Sequence, residues 1–450
     1  MTTPALIGLA AAGVAFLLFL IIVVRIQAFV ALLVTSIAVA VIGGVPLAEI
    51  ADNIRNGMGS TLGYIAIVVG VGAMFGEMLQ VSGGAEQIAR TLLDRFSEKR
   101  APWALVVTGL IVSTPVFFDV ALILFIPLVY SLTQRTGKSL LYFGIPLTAG
   151  MAIAHAFIPP TPGPVAVAAL LHADLGWVIF FGALTGTPAA ILGGILFGRY
   201  ISDKVHLGVP DHLAAQTPPP EERGQTRLPS FGIVITLVAV PIILILLNTA
   251  SDLVLPGDSP VAHFLQFIGH PFTALILTAL LSFYFLGKRM GYSGAEIERI
   301  ASKSLEPVGL VILVTGAGGV FGQVLIATGI GEALAQIMAA SSLPFLLLAF
   351  VIAMLVRISQ GSATVSMITA AGLMAPIVQT GSYSQPVLAL VTIAIAAGAT
   401  TFSHVNDSGF WLVSRFFGMT TEDTLRSWSV MMVILGFSGL GFCFILSLFV

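Results

Sequence analysis

The chain has 450 residues, of which 57% are hydrophobic and only 9% are charged, and its mean hydropathy is +1.04. This composition excludes an ordinary soluble protein and predicts a polytopic membrane protein, because many apolar runs are long enough to span a bilayer. The formal net charge of -2 comes without a basic stripe, so no nucleic-acid partner is expected. The single cysteine, Cys443, excludes a disulfide framework and a cysteine-based metal site.

Apolar segments follow one another along the chain, and the first is interpreted as a retained membrane helix because no basic region precedes it. The predicted segments are 4–24, 27–44, 61–80, 102–133, 140–171, 176–198, 231–248, 271–287, 306–328, 344–378, 386–418 and 428–449. Only 201–230 has the composition of a soluble linker, with several charges and a run of prolines. The linker separates two predicted halves, 1–200 and 231–450.

The two halves resemble each other at a shift of 246 residues. Between 70–89 and 316–335, eight of twenty positions are identical, which favours an internal repeat over shared glycine richness. The identities are Gly70/Gly316, Gly72/Gly318, Phe75/Phe321, Gly76/Gly322, Leu79/Leu325, Gly83/Gly329, Glu86/Glu332 and Ala89/Ala335. Each half also has one segment, 102–133 or 344–378, that is too long for a single straight crossing of a ~30 Å hydrocarbon core.

The positions of the lysines and arginines choose between hairpins and full crossings. If 102–133 and 344–378 are re-entrant hairpins, seventeen of the nineteen cations fall on one side of the membrane, Arg55 falls on the other and Arg357 lies within a hairpin. We therefore predict an all-α fold of two inverted repeats with about ten crossings and two hairpins. Both termini are expected outside, and the linker 201–230 is expected in the cytoplasm.

Two of the segments, 140–171 and 386–418, are interrupted at their centres by proline-rich or polar runs at 159–164 and 403–409. Prolines cannot continue a helix and lack the backbone donor, so the helix must open there. Irregular backbone at membrane depth is tolerated only where it is buried or lines a cavity, and matched breaks in two halves indicate the substrate site of a secondary transporter. The two breaks are predicted to meet at mid-membrane.

Arg357 is the only cation inside an apolar segment. A charge at the centre of a membrane helix costs about 2.5 to 3.5 kcal/mol, so it needs an anionic partner or a wet cavity. It either holds a substrate carboxylate with its planar donor fork or pairs with Asp119 or Asp407, and the two roles can alternate. Beside it, the second hairpin tip offers small residues and hydroxyls for ligand contact or for ordinary helix packing: Ser359, Gln360, Gly361, Ser362 and Thr364.

The first hairpin tip contains Ser113 and Thr114 and leads to Asp119. A carboxyl at membrane depth is a candidate proton carrier, and the alternative is a permanent ion pair with Arg357. Another candidate proton carrier is His155, although a lone membrane histidine is more often a hydrogen-bond donor between helices. The candidates within the two breaks are Thr161, Gly163, His404, Asn406, Asp407 and Ser408, of which Asp407 is also a candidate for proton coupling.

Motifs of energy-coupled pumps and hydrolases are absent from the sequence. There is no Walker A lysine, no HExxH and no GxSxG, and the glycines at 316–319 follow no strand. An enzyme is therefore not expected, and neither is a cofactor or a bound metal.

At these residues the chain resembles the gluconate permease family of proton-coupled symporters, within the ion transporter superfamily of elevator-type carriers. The most specific matches are 159–164, 361–365 and 402–411, supported by 117–120 and 172–177. The resemblance runs over almost the whole chain. It implies uptake of gluconate or a related small hydroxylated monocarboxylate with protons, across a bacterial inner membrane, by a carrier that forms a homodimer.

The chain departs from the family pattern at Thr161, Asp119 and Gln360, where many gluconate carriers have histidine, glutamate and an apolar residue. The ligand therefore stays open among gluconate, other sugar acids and D-serine. Sodium-coupled carboxylate carriage within the same superfamily and a substrate-gated anion channel are the alternatives. In the proton-coupled interpretation, Arg357 and the hairpin amides hold the carboxylate, and the hydroxyls are bound by Thr161, Gln360, Asn406 and Ser408.

Overall fold

A computed structural model describes residues 1–95, 100–210, 228–256, 259–333 and 344–450, and only the backbone of Ile22. Within these ranges the chain is helical and has no β-strand, so the predicted all-α class is confirmed. Ten of the described helices are long and apolar enough to cross a membrane.

The predicted linker 201–230 overlaps residues 211–227, which lie outside the described residues. The linker, the boundaries of the two repeats and their inverted orientation in the membrane stay predictions.

The helices follow the predicted segments closely. In the first half they are Thr3–Ile22, Ala28–Ile42, Leu47–Val81, Gly84–Arg95, Ala101–Val112, Phe118–Thr136, Leu140–Phe157, Pro162–Leu171, Leu175–Ala190 and Phe197–Lys204, the last two joined by the π-helical Ile191–Leu196. In the second half they are Phe231–Val254, Pro260–Gly269, Pro271–Ser282, Gly294–Lys303, Glu306–Ala327, Phe345–Gln360, Ala363–Thr380, Gln385–Thr400, Ser408–Phe417, Thr421–Thr424 and Val430–Ser447. Short π-helical or 3-10 segments extend two of these, at Phe283–Gly287, Lys288–Met290 and Leu425–Ser429.

The ten spanning helices differ in two members from the ten predicted crossings. Eight coincide with predicted crossings, and the other two are Phe118–Thr136 and Ala363–Thr380, the second arms of the predicted hairpins. The segments 27–44 and 386–418 contain shorter apolar helices instead. Length alone therefore does not separate a crossing from a hairpin arm in this chain.

The helix Leu47–Val81 is longer than the predicted segment 61–80, because the amphipathic stretch before it continues without a break for 35 residues. In the second half the corresponding stretch, Gly294–Lys303, is a separate helix. The reason is Pro307, which stands at the start of Glu306–Ala327, where a missing backbone donor is tolerated, and so begins a new helix.

Both predicted hairpins are helix pairs with a break at the predicted place. The first hairpin joins Ala101–Val112 to Phe118–Thr136 through residues 113–117, which include a proline. The second hairpin joins Phe345–Gln360 to Ala363–Thr380, and its tip turns at Gly361 with a φ of 82°, a conformation that favours glycine.

Both broken helices also form where predicted. The first broken helix consists of Leu140–Phe157 and Pro162–Leu171, and the second consists of Gln385–Thr400 and Ser408–Phe417. In each half the first arm of the hairpin packs against the first part of the broken helix. The approach is close: a Cβ added at Gly150 would lie 2.3 Å from the Val106 carbonyl oxygen, and one at Gly398 would lie 2.2 Å from that of Phe350.

Candidate functional site

A cavity of about 370 Å³ lies where the hairpin tips and the broken helices meet the helix Leu47–Val81. This volume is in the range of small-ligand sites. Its polar lining residues are Glu77, Gln80, Asp119, His155, Ser304, Arg357, Ser362, Thr364, Thr400, Asp407, Ser408 and Trp428. The cavity thus combines one guanidinium, several carboxyls and several hydroxyls within one apolar framework.

Arg357 lies at the end of the first arm of the second hairpin, with only 2% of its surface exposed. Its Nη2 donates to Oδ2 of Asp407 and its Nη1 donates to the carbonyl oxygen of Gly361. Its Nε has no hydrogen-bond partner. The guanidinium is therefore paired but not saturated, and its Nε–H is among the donors left for a further acceptor.

Asp407 begins the second part of the second broken helix, and its carboxylate accepts hydrogen bonds from two other groups besides Arg357. Its Oδ1 accepts from the backbone N–H of Gly409 at 3.0 Å, which caps the helix. Its Oδ2 also accepts from the hydroxyl of Ser403, and that hydroxyl oxygen accepts from Nε1 of the buried Trp428 at 2.7 Å. A chain of hydrogen bonds through Ser403 and Trp428 therefore helps to fix the carboxylate that Arg357 contacts.

The tip of the second hairpin is bound directly to the second break. The carbonyl oxygen of Ile358 accepts from Nδ2 of Asn406 at 2.8 Å and lies 3.1 Å from Nε2 of His404. Gly361 packs so closely on Asn406 that an added Cβ would lie 2.1 Å from the Asn406 carbonyl oxygen. Only glycine fits this contact, which supplies a second reason for its position at the tip.

Asp119 lies in the first turn of the second arm of the first hairpin and is exposed at the cavity wall. It forms no ion pair with any of the described residues, so the predicted alternative of an Arg357–Asp119 pair is not seen. His155 lines the same cavity from the first broken helix, and its Nδ1 has no partner. Its ring lies 6.3 Å from that of Phe117, measured between centroids.

The first break makes mainly local hydrogen bonds. Thr161 donates to the Ile158 carbonyl oxygen at 2.7 Å, and Thr114 donates to that of Leu110 at 2.8 Å. A small cleft separates this break from the first hairpin tip, and it is lined by both threonines and by His155. Gly163 faces Met367, whose methyl carbon lies 2.3 Å from where a Cβ would stand.

The structure brings seven of the predicted site residues to the main cavity: Asp119, His155, Arg357, Ser362, Thr364, Asp407 and Ser408. Thr114 and Thr161 line the adjoining cleft. The other predicted residues are not among those that line the cavity or the cleft: Ser113, Gly163, Ser359, Gln360, Gly361, His404 and Asn406. The assignment of roles to these side chains stays a prediction.

Several lining residues were not predicted. Glu77 and Gln80 lie on Leu47–Val81, inside a predicted segment, and an acid in an apolar segment is the same signal that marks Arg357. Ser403 does not line the cavity but donates to Asp407, and it belongs to the predicted second break without being one of the predicted site residues. Trp428 gives no signal in the sequence, because only the tertiary fold brings it to Ser403.

Among the described residues, no group of three or more His, Cys, Asp or Glu side chains could hold a metal ion.

Comparisons with known proteins show which family the chain belongs to. The sequence profile of the GntP family permeases matches residues 5–449. The low-affinity gluconate transporter of Escherichia coli strain K12 is 41% identical over 439 residues, which cover 98% of this chain and 97% of that protein. The gluconate permease of Pseudomonas aeruginosa is 36% identical over 426 residues, with 94% and 93% covered.

Solved structures give the same fold at lower identity. The YdaH transporter of Alcanivorax borkumensis, described as having an unusual topology, superposes with a TM-score of 0.68 at 14% identity and covers 94% of this chain and 98% of its own. This likeness concerns the fold alone. The profile match, the relatives and the spanning helices show that the chain belongs to the GntP permease family and is a multi-pass inner-membrane transporter rather than an enzyme.

Proposed function

We propose that the protein imports gluconate or a closely related sugar acid together with protons. The observation that carries the proposal is the state of Arg357 in the cavity. It is buried and paired with Asp407, yet its Nε is left without an acceptor. A substrate carboxylate that enters the cavity can accept from this guanidinium, either beside Asp407 or in its place.

The relatives support the choice of substrate. Two transporters that share more than a third of the residues over nearly the whole chain are named for gluconate. Hydroxyls of such a substrate find partners on the same cavity wall, in Ser362, Thr364 and Ser408. The substrate is also proposed to contact Thr161, Gln360 and Asn406. These contacts require a movement of the hairpin tips.

The charges that face the cavity support the proposal of proton coupling. Arg357 and Asp407 cancel one another, and Asp119 and Glu77 are acids without an ion-pair partner among the described residues. A monoanionic substrate adds a further negative charge in a poorly solvated space, which favours proton uptake by a neighbouring carboxyl. A proton also cancels the charge of the substrate, whose entry a negative-inside potential opposes by ~2.3 kcal/mol per 100 mV. Asp119, with His155 and Asp407, is the proposed proton-coupling group.

Alternating access is proposed to follow an elevator-type movement, in a homodimer with both termini in the periplasm. The resemblance to the superfamily supports the movement and the dimer, and the distribution of lysine and arginine supports the orientation. Cysteines introduced at positions 2 and 260 should then react with impermeant reagents from outside, and a cysteine at 136 only from the cytoplasm. Reaction of position 136 from outside would overturn the re-entrant assignment of 102–133.

Uptake by purified protein in sodium-free proteoliposomes tests the proposal. An inward proton gradient should concentrate labelled gluconate inside the vesicles, and a protonophore should abolish the accumulation. Dependence on sodium would instead identify a sodium-coupled carrier, and equilibration without accumulation would identify a channel. A panel of gluconate, ketogluconates, glycerate and D-serine in the same assay would decide between the substrates that the family carries.

A further inference from the structure

One wall of the cavity has no assigned contact with the substrate. It is formed by Ala73, Gly76, Glu77 and Gln80, which lie at positions i, i+3, i+4 and i+7 of the helix Leu47–Val81 and therefore share one face. The start of Glu306–Ala327 continues this wall with Pro307 and Val311. The wall belongs to other elements than those that carry Arg357 and Asp407.

Two polar side chains of this wall are available to a ligand. Glu77 and Gln80 are partly buried and make no side-chain hydrogen bond or ion pair with the described residues. The third polar residue, Ser304, already donates its hydroxyl proton to the Ala301 carbonyl oxygen at 2.7 Å. A carboxylate and an amide that face a cavity without partners are suited to accept and donate hydrogen bonds to the hydroxyls of a bound molecule.

The packing of the first hairpin fixes where this pair stands. A Cβ added at Gly76 would lie 1.9 Å from the carbonyl oxygen of Pro115, so the backbone of the hairpin tip rests on the helix beside Glu77. The Glu77 carboxyl therefore borders the same cavity as the Asp119 that follows this tip. A carboxylate ligand is repelled here and attracted by Arg357, whose Nε is buried and unpartnered.

These charges orient a sugar acid in one direction. We propose that Glu77 and Gln80 form a recognition site for the hydroxylated end of the substrate, and that Glu77 excludes substrates with a second carboxylate at that end. The protein would then select aldonic acids, which have one carboxylate and a chain of hydroxyls, over aldaric acids of the same length. This inference rests on the proposed function and adds to it the residues that read the far end of the substrate.

The exclusion arises because an aldaric acid with one carboxylate at Arg357 places its other carboxylate near an acid that has no cation to offset it. Like charges in a poorly solvated space are a stronger basis for discrimination than shape, since gluconate and glucarate differ little in size. A short hydroxy acid such as glycerate has only two hydroxyls beyond its carboxylate, so we expect it to depend least on the second wall.

The test is competition by gluconate, glucarate and glycerate for binding to the purified full-length protein, with Glu77→Gln and Gln80→Ala beside the wild type. Wild-type protein should prefer gluconate to glucarate by at least about tenfold. Glu77→Gln should reduce this ratio by about tenfold or more, because the amide keeps the hydrogen bonding and removes the charge. Gln80→Ala should weaken the binding of gluconate by roughly fivefold and change the binding of glycerate by no more than about twofold.

Glu49→Gln is the matched control, since Glu49 is an exposed acid of the same helix outside the cavity, and its ratios should equal those of the wild type. Unchanged gluconate-to-glucarate selectivity in Glu77→Gln, with gluconate still bound, overturns this inference alone. If Glu77→Gln does not fold, an equal loss of gluconate binding and glycerate binding in Gln80→Ala overturns the inference. Failure of the wild type to bind any sugar acid overturns the proposed function first.

Discussion

The second hairpin is bound to the second break by polar contacts, whereas the first hairpin meets the first break across a small cleft. On the second side, Arg357 reaches Asp407 and Gly361 lies on Asn406. On the first side, Thr114 and Thr161 turn their hydroxyls back to carbonyl oxygens of their own segments. The two halves therefore use the same elements for different purposes, one as a fixed polar cluster and one as the border of an opening.

The difference is sharpest at positions related by the shift of 246 residues. Thr161 and Asp407 each begin the helix that follows a break, and only Asp407 is an ion. The second arm Ala363–Thr380 packs against Glu306–Ala327, but its counterpart Phe118–Thr136 packs mainly against the first broken helix. The first half lacks an equally extensive contact between Phe118–Thr136 and Leu47–Val81, and this leaves room for the cavity. Unequal packing of two copies of a repeat can therefore create a binding site.

The largest expected effect comes from removing Arg357, the buried cation of the second hairpin. Arg357→Ala should weaken gluconate binding by at least about 100-fold, because substrate and Asp407 both lose their cation. It should also destabilise the fold by about 3 to 5 kcal/mol, since Asp407 remains buried without a cation to offset its charge. Calorimetric titration of substrate and thermal unfolding in detergent measure the two effects.

A double variant separates the two roles of this arginine. Arg357→Ala with Asp407→Ala removes the unpaired charge and should recover most of the stability without recovering binding. Arg55→Ala serves as control, because Arg55 pairs with Asp52 at the exposed end of Leu47–Val81. Substrate binding by the double variant at wild-type affinity would show that Arg357 has only a structural role.

The acid of the first half should affect coupling more than binding. Asp119→Asn should bring gluconate accumulation driven by a proton gradient to near background, because the proposed proton carrier is gone. Exchange of labelled for unlabelled gluconate at equal pH should keep at least about half of its rate, since it requires no net proton movement. Equal loss of accumulation and exchange would assign Asp119 to substrate binding instead.

A pair of glycine variants compares the two halves directly. Gly76→Ala should destabilise the protein by about 1 to 3 kcal/mol, because the new methyl group would lie 1.9 Å from the backbone oxygen of Pro115. The repeat partner Gly322→Ala should be nearly neutral, since its methyl group would lie 3.4 Å from the Gly372 oxygen. Thermal unfolding of the two variants measures the difference, and similar losses in both would contradict the unequal packing.

The smallest expected effect concerns the amphipathic helix Gly294–Lys303, which is separate from the spanning helix that follows it. Hydrogen bonds from the backbone and side chain of Ser293 lower the pKa of Glu296. A lowered pKa contributes stability that is present above the ordinary carboxyl range and is lost as pH falls through the folded-state pKa. Glu296→Gln should therefore lower Tm by about 1 °C at pH 7, and the difference should shrink toward pH 4.

Glu49→Gln is the control for this measurement, because Glu49 begins the continuous helix of the first half, whose N-cap residue is Pro46. A constant difference in Tm between the Glu296 variant and the wild type across this pH range would contradict the assignment.

Most of the fold could be predicted because its signals are local. Prolines and glycines mark the hairpin tips and the breaks, and Arg357 stands out against an apolar segment. Pairing of that arginine could be narrowed only to Asp119 or Asp407, since the choice depends on how the two halves pack. Glu77 could have been found by the rule that singled out Arg357, whereas the hydrogen bond from Trp428 to Ser403 depends on a tertiary contact between segments 25 residues apart.

The only cysteine of the chain is fully buried among apolar side chains near the end of Val430–Ser447. A thiolate is the reactive form of cysteine, and a buried thiol is out of reach of water-soluble reagents. The unmodified protein is therefore expected not to react with maleimides or thiol-directed spin labels. Reporters at the hairpin tips, at the helix that carries Glu77 or at either terminus can be introduced one at a time without first removing a native thiol.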